Sequence, residues 1–485
     1  MQRVIFWLSM IATICSTVVF VQRGLNAWVI AGIPPGVATT SGFEEESLFA
    51  LHRAVHHQPV YLDNTRLPFA AAYFNWLFYA SYSAPLRPVV TRYGDAAMPR
   101  FARILTAVGG LMGVLMLGLI GRWLLAEYWP VTIPVATWVF FGPLVGWWAH
   151  TARPDVWALA CEATAIALLL RHLSRRPILA VVGAMVFFYA AWAFKPTYIF
   201  GLGTATAFLA VRRRLVLATI LTGGSLALWM VTYWLIDPGF RATMQSTAAV
   251  SDYYFLGGWK NLVNAGLKTA PLIVLTAGLL YSRFPADGEL PTDNVSAADA
   301  AVFGSLGVVL TTPVMFWASC KVGAWSNYFF TPLLMLAVLS LGLAAQRPAP
   351  AALAAFLALS TAMQIFMLAG KAGRIDLRPL ADELSIRWAR WESQPEPRFS
   401  ADTRLNLPWL NAHSPPLVLS FNYGFDRAAG RRFESGGLGG LISAGYFATL
   451  LLPEGEMSSY DGSDLRLYRK GSTAAGMSVY LLKNP

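Results

Sequence analysis

The chain has 485 residues, 56% hydrophobic and 13% charged, with a formal net charge of +11. Soluble domains carry about 25% charged residues, so this composition excludes a soluble globular enzyme. The basic excess reads as arginines anchoring loops against anionic lipid, not as a nucleic-acid surface.

In chain order, the first apolar run, "VIFWLSMIATICSTVVFV", follows a single arginine. The stretch "QRGLNAW" after it offers no small-residue cleavage site, so the run reads as a span that stays. Further runs reach or approach the ~20 residues a bilayer needs, giving about eleven spans. They start near Val4, Phe101, Val131, Asp155, Ile178, Pro196, Leu215, Lys268, Ala300, Asn327 and Pro348. With the N-terminus inside, "RHLSRR", "RRR" after Val211, Arg283 and Arg347 fall on cytoplasmic ends, as the positive-inside rule asks. The first loop (23–100), "HTARPD", Lys195, "CKVGAWSNY" and the tail then share the opposite face.

The expected architecture is an all-α polytopic membrane core over 1–370, followed by a small C-terminal α/β domain over 371–485. In the tail, "PPLVLSF", "YFATLLL" and "MSVYLLK" read as strands and "LADELSIRWARW" as a helix. There are three cysteines. Cys15 and Cys161 sit in apolar runs and Cys320 stands alone, so neither a disulfide framework nor a cysteine zinc site is expected.

The first loop holds the densest polar pattern. In "SGFEEESLFALHRAVHHQPVYLD", Leu48, Leu51 and Val55 recur at helical spacing, so an amphipathic surface helix is expected, stopped by Pro59. "PFAAAYFNWLFYASY" reads as a second, aromatic-rich surface helix. At about 100° per residue, Glu44 points into the apolar sector, Glu46 nearly opposite and Glu45 between. A carboxylate on a buried side is unfavourable without a partner, which singles out Glu44. Ser41 with Glu44 also fits a capping box, and that reading stays open. His52 and His56 lie four apart on one face. That spacing can hold a metal. With no cysteine or further clustered carboxylate in the sequence, they read instead as interfacial or substrate-contacting, and no metal site is assigned.

This loop, with its acidic residues opening a surface helix, then "PVYLD", a proline and "YFNWLFY", resembles the GT-C superfamily of membrane glycosyltransferases. The resemblance continues in "ARPD" and "SNYFFTPLLML" and is nearest to the aminoarabinose, mannosyl and arabinosyl transferase group. It implies a GT-C-like core, periplasmic loop helices and a periplasmic C-terminal domain in a bacterial inner membrane. It also implies a polyprenyl-phosphate-linked sugar as donor and a glycan, lipid or exported protein as acceptor, with a divalent cation left open. Glu44 or Glu45 would be the general base of an inverting transfer. Arg153, Lys195, Lys260 and Lys321 are the candidate phosphate ligands. His52, His56, Tyr61, Asp63, Asn75, His150, Asp155 and Tyr328 are candidate substrate contacts. A local Arg153–Asp155 pair and interfacial aromatics are the plainer alternatives. A transporter or flippase of lipid-linked sugars would place ionisable residues in mid-span and could carry inverted repeats; the spans read as clean, with Glu162 the main exception. A polysaccharide polymerase or ligase would carry a long basic loop late in the chain, whereas here the long loop comes first and opens with acidic residues.

Overall fold

The structure is a computed structural model and describes residues 2–30, 44–125, 128–249, 252–282, 295–369, 378–410, 417–419, 422–455 and 457–483. Ser41, Phe43 and Arg283, which figure in the capping, motif and topology arguments, lie outside the described residues. In chain order the helices are α1 (Gln2–Ile30), α2 (Glu44–Val55), α3 (Trp76–Tyr93), α4 (Met98–Leu124), α5 (Thr132–Phe141), α6 (Asp155–His172) and α7 (Pro177–Phe194). They continue with α8 (Phe200–Val211), α9 (Leu215–Leu235), α10 (Pro238–Ala249), α11 (Phe255–Tyr281), α12 (Val295–Ser319), α13 (Phe330–Gln346) and α14 (Pro350–Ala369). Each expected span has its helix, and eight helices among the described residues are long and apolar enough to cross a bilayer. α5 and α8 are shorter apolar helices. α11 begins at Phe255 rather than Lys268, because the polar stretch around Lys260 and Asn261 is already helical.

The chain divides into two compact units. The first comprises 1–24, 105–235 and 252–375. Its centre is α13, 83% of whose apolar window is buried, whereas α9 is only 22% buried and shows Val216, Trp234 and Leu235 on its outside. Outward apolar side chains of this kind face lipid, and a helix satisfies its own backbone there. α12 and α13 approach closely at glycines. A Cβ on Gly304 would lie 2.4 Å from the Leu339 nitrogen, and one on Gly342 would lie 2.4 Å from the Ala301 nitrogen. Small residues at such crossings let dispersion contacts hold helices together where no hydrophobic effect can. Thr276 and Ser340 add a 2.7 Å hydroxyl pair between α11 and α13.

The second unit comprises 25–104, 236–251 and 376–485, so the first loop and the C-terminal segment share one unit. Here α15 (Arg378–Glu392), α16 (Tyr423–Ala428) and α17 (Gly437–Ser443) accompany a four-stranded sheet. The strands are β1 (Arg398–Ser400), β2 (Thr449–Pro453), β3 (Ser459–Tyr460), β4 (Ser463–Asp464), β5 (Tyr468–Ala474) and β6 (Met477–Leu482). The sheet order is β1-β2-β6-β5, with β1 parallel to β2 and the other pairs antiparallel, while β3 and β4 form a separate small ribbon. "YFATLLL" and "MSVYLLK" supply β2 and β6, and "LADELSIRWARW" supplies α15. "PPLVLSF" departs from expectation: its described residues Leu417–Leu419 form no strand. Val418 instead donates one backbone bond to Pro68 O, and Leu417 and Val418 fill core clusters.

The second loop helix also departs from the pattern. It starts at Trp76, not Pro68, and runs to Tyr93. Phe69 is why: it adopts φ 58°, a left-handed conformation that breaks a helix, and buries fully among Phe399, Leu417, Tyr423 and Leu450. α2 ends before Pro59 in a Schellman closure. Gln58 N bonds Arg53 O, His57 N bonds Ala54 O, and His57 takes the left-handed position at φ 56°.

Candidate functional site

Two polar clusters stand out, one in each unit. In the loop unit, α2 places three glutamates in its first turn. Acidic residues there meet the positive end of the helix dipole, which accounts for their tolerance but not for their burial. Glu44 is fully buried, as the helical wheel predicts, and Arg103 accounts for it. Arg103 Nε and Nη2 grip Glu44 Oε1 and Oε2 at 3.0 and 3.1 Å, and Nη1 donates to Ala27 O at 2.8 Å. This is the forked geometry in which arginine binds carboxylates most strongly. Glu46 is also buried, although the wheel turns it away from the apolar sector.

Glu45 has a different environment. Its Oε1 accepts from Thr403 Oγ1 at 2.9 Å, and its Oε2 accepts no hydrogen bond among the described residues. Burial raises the Glu45 carboxyl above the ordinary value, against the lowering effect of backbone and Thr403 hydrogen bonds. Thr403 is itself set by its neighbours, because Asp402 Oδ1 accepts from Arg404 Nε at 2.6 Å.

Further along α2, His52 and His56 face Asp95, in the turn between α3 and α4. His56 Nε2 lies 2.7 Å from Asp95 Oδ1 and His52 Nε2 lies 3.4 Å from Oδ2. Hydrogen bonding from His52, against burial and with help from His56, holds the Asp95 carboxyl below its usual value. His52 also lines a cavity of about 280 Å³ with Phe49, Arg53, Leu67, Pro408 and Leu417.

Two of the candidate substrate contacts in this unit, Tyr61 and Asp63, make structural contacts. Tyr61 donates to Phe74 O at 3.1 Å and packs on Tyr79 and Phe240. Asp63 accepts from Thr65 N and Oγ1, forming a local turn. Asn75 is buried at the N-cap position of α3.

In the membrane unit, Asp155 opens α6 fully buried. It accepts from Lys195 Nζ at 2.5 Å and from Asn327 Nδ2 at 2.8 Å, with Arg153 Nε 3.4 Å away. Arg153 stacks over Trp148 at 4.5 Å, and Lys195 lies 5.9 Å from the Tyr328 ring centre. Four residues singled out in the sequence, Arg153, Asp155, Lys195 and Tyr328, are thus brought together. Asn327 joins them unpredicted. Among the described residues the cluster sets two cations around one carboxylate, a grouping that suits an anionic ligand. The local Arg153–Asp155 pair is present as the plainer reading expected, and Lys195 joins it. Lys260 is exposed on α11, and Lys321 sits after α12, where its backbone bridges Tyr253. His150 packs on Phe20 at 4.4 Å. Glu162, in the middle of α6, accepts from Thr331 Oγ1 at 2.6 Å and Gly201 N at 3.2 Å, so it ties α6 to α8 and α13.

The fold so described is a polytopic helical core with loop helices and a small α/β segment. It is shared with the crystal structure of ArnT from Cupriavidus metallidurans bound to undecaprenyl phosphate, at 13% identity and a TM-score of 0.55, over 96% of this chain and 97% of that one. The apo oligosaccharyltransferase of Archaeoglobus fulgidus aligns at 13% identity and a TM-score of 0.47. That alignment covers 85% of this chain, which spans only 60% of the archaeal protein. The oligosaccharyltransferase AglB from Archaeoglobus fulgidus, in complex with an inhibitory peptide and a dolichol-phosphate, aligns at 12% identity and a TM-score of 0.48, over 92% of this chain and 69% of that one. No protein-family model and no curated protein sequence matches the chain.

Proposed function

We propose that the chain is a membrane glycosyltransferase that moves a sugar from a polyprenyl-phosphate carrier to an acceptor hydroxyl. The observation that carries this reading is the first turn of α2. Glu44 is neutralised by Arg103, and Glu45 beside it keeps one carboxylate oxygen without a hydrogen bond among the described residues. A general base needs an ionised oxygen whose lone pair is available to the acceptor hydroxyl, which favours Glu45 over Glu44. The acceptor oxygen attacks the anomeric carbon and its proton passes to Glu45. The bond from that carbon to the phosphate oxygen breaks with inversion. The phosphate leaves as an anion, so no second carboxylate has to protonate it. In the membrane unit, Arg153 and Lys195, paired with Asp155, are the cations whose chemistry suits a carrier phosphate.

The arginine-rich connections 171–176 and 212–214 favour a cytoplasmic position for those ends and so support a periplasmic first loop and C-terminal segment in a bacterial inner membrane. The acceptor class is a glycan, a lipid or an exported protein. Undecaprenyl phosphate, present in the ArnT structure that shares the fold, is the first carrier to test. The test is native mass spectrometry of the detergent-purified protein, followed by a transfer assay with undecaprenyl-phosphate sugars. A co-purified or added polyprenyl phosphate, retained by the wild type and lost from Arg153→Met with Lys195→Met, supports the reading. Retention of ordinary phospholipid alone, with no carrier bound after its addition, removes the donor from the proposal.

A further inference from the structure

We infer that His52, His56 and Asp95 form a divalent metal site, with zinc the ion that the ligand set suits. Two observations carry it. The histidines occupy i and i+4 of α2, so both imidazoles project from one face and present Nε2 in the same direction. The turn that opens α4 then brings in a carboxylate that sequence spacing alone could not supply. One ligand atom from each residue falls within 4.8 Å of the other two. Around a tetrahedral zinc at about 2.0–2.1 Å from each ligand, donor atoms lie about 3.3 Å apart. His52 Nε2 to Asp95 Oδ2, at 3.4 Å, already has that spacing, whereas His56 Nε2, 2.7 Å from the other oxygen Oδ1, has to give up that hydrogen bond to join the same ion.

Two imidazoles and one carboxylate make a borderline donor set with no thiolate, which suits Zn²⁺ better than the oxygen-preferring Mg²⁺ or Ca²⁺. Three protein ligands leave a fourth position for water or a substrate oxygen. The site is accessible to an incoming ion, with the side chains of His56 and Asp95 38% and 27% exposed. Bound metal would clip the C-terminal end of α2 to the α3–α4 turn and so fix the helix whose first turn carries Glu45. Each imidazole would bind through the lone pair of a neutral Nε2, with its proton held on Nδ1 and the Asp95 hydrogen bonds exchanged for metal bonds.

The inference does not depend on the transfer reaction, so its test needs no turnover. The full-length protein, purified in detergent and stripped with a chelator, is titrated with ZnCl₂ by calorimetry and with CoCl₂ by visible absorption. The expected result is one equivalent bound, with the intense d–d bands of four-coordinate Co²⁺. Asp95→Asn keeps most of the hydrogen bonding but loses the charged ligand, and His52→Gln removes one imidazole. Both should weaken binding by more than the about 10–100-fold that outer-shell changes produce. His57→Asn, at an adjacent exposed position whose φ of 56° asparagine tolerates, should bind like the wild type. Failure of the wild type to take up one equivalent overturns the inference, as does equal binding by Asp95→Asn and His52→Gln.

Discussion

Because one guanidinium holds both oxygens of Glu44, that carboxylate has little lone-pair density to offer a substrate, while its neighbour Glu45 retains an oxygen that takes no hydrogen bond among the described residues. Glu45→Gln should therefore lower kcat by at least about 100-fold, the usual scale for removing a general base, with melting behaviour unchanged. The pH profile gives a second reading. Burial raises the Glu45 pKa, and a base works only when ionised. Activity should thus fall on acidification through a midpoint above the ordinary carboxylate value. The same raised pKa favours the folded state below the unfolded value and withdraws that contribution as pH rises through the folded one. The contribution of Glu45 to stability is thus not lost on acidification, and a rate limb at or below the ordinary glutamate value would remove Glu45 as the base. Glu44→Gln should act on stability instead. It strands the Arg103 charge, 4% exposed, which typically costs about 3–5 kcal/mol. The double change Glu44→Leu with Arg103→Met should recover much of that in a detergent melt, since replacing both members of a buried pair is often neutral. The sequence exposed Glu44 through helical periodicity, but its partner lies on another helix, and no periodicity reports a contact between distant segments. Asp95, Thr403 and Asn327 were missed for the same reason. Each is an ordinary polar residue near a turn until the fold sets it beside its partner.

At the level of whole elements, spans were legible because a bilayer demands long apolar runs, and backbone satisfaction demands that they be helical. The way those helices meet was not legible, since every face of a buried span is apolar and hydropathy cannot say which one packs. Glycines carry that information at α12–α13. Gly304→Ala and Gly342→Ala each drive a methyl carbon to 2.4 Å from a backbone nitrogen of the facing helix, where no side chain can rotate aside. Each should cost about 1–3 kcal/mol and lower the melting temperature in detergent. Gly203→Ala, whose Cβ meets nothing within 4 Å, should be neutral or slightly stabilising in its helix. Equal melting of all three variants would mean that α12 and α13 do not approach at these residues. The loop segment 68–75 failed for a different reason: its apolar content suits a surface helix, but the pull of Phe69 into the sheet core outweighs local propensity.

On the scale of the whole molecule, the composition shift after the last span suggests a C-terminal domain complete in itself, while the contacts give a unit whose core is shared with the first loop. Phe69 is fully buried against Tyr423 and Phe433, with ring centres 5.9 and 5.7 Å away. Polar ties run the same way: Asn64 donates to Asp426 at 3.0 Å, Leu67 N donates to Glu434 at 3.0 Å, and Thr403 donates to Glu45 at 2.9 Å. Residues 376–485 expressed alone would lack the central aromatic of their core and leave Asp426 and Glu434 without these donors. Removing a buried phenylalanine side chain costs about 3–5 kcal/mol, a large share of the roughly 5–15 kcal/mol by which a domain is stable. The isolated segment should therefore show no cooperative thermal transition by circular dichroism and poor amide dispersion by NMR. In the full-length protein, Phe69→Ala should raise protease cleavage within 398–482 while leaving the membrane helices protected. A sharply melting, well-dispersed 376–485 fragment would show instead that the segment folds without the loop. The link from the sheet to Glu45 through Thr403 would then be a contact between two independently stable parts.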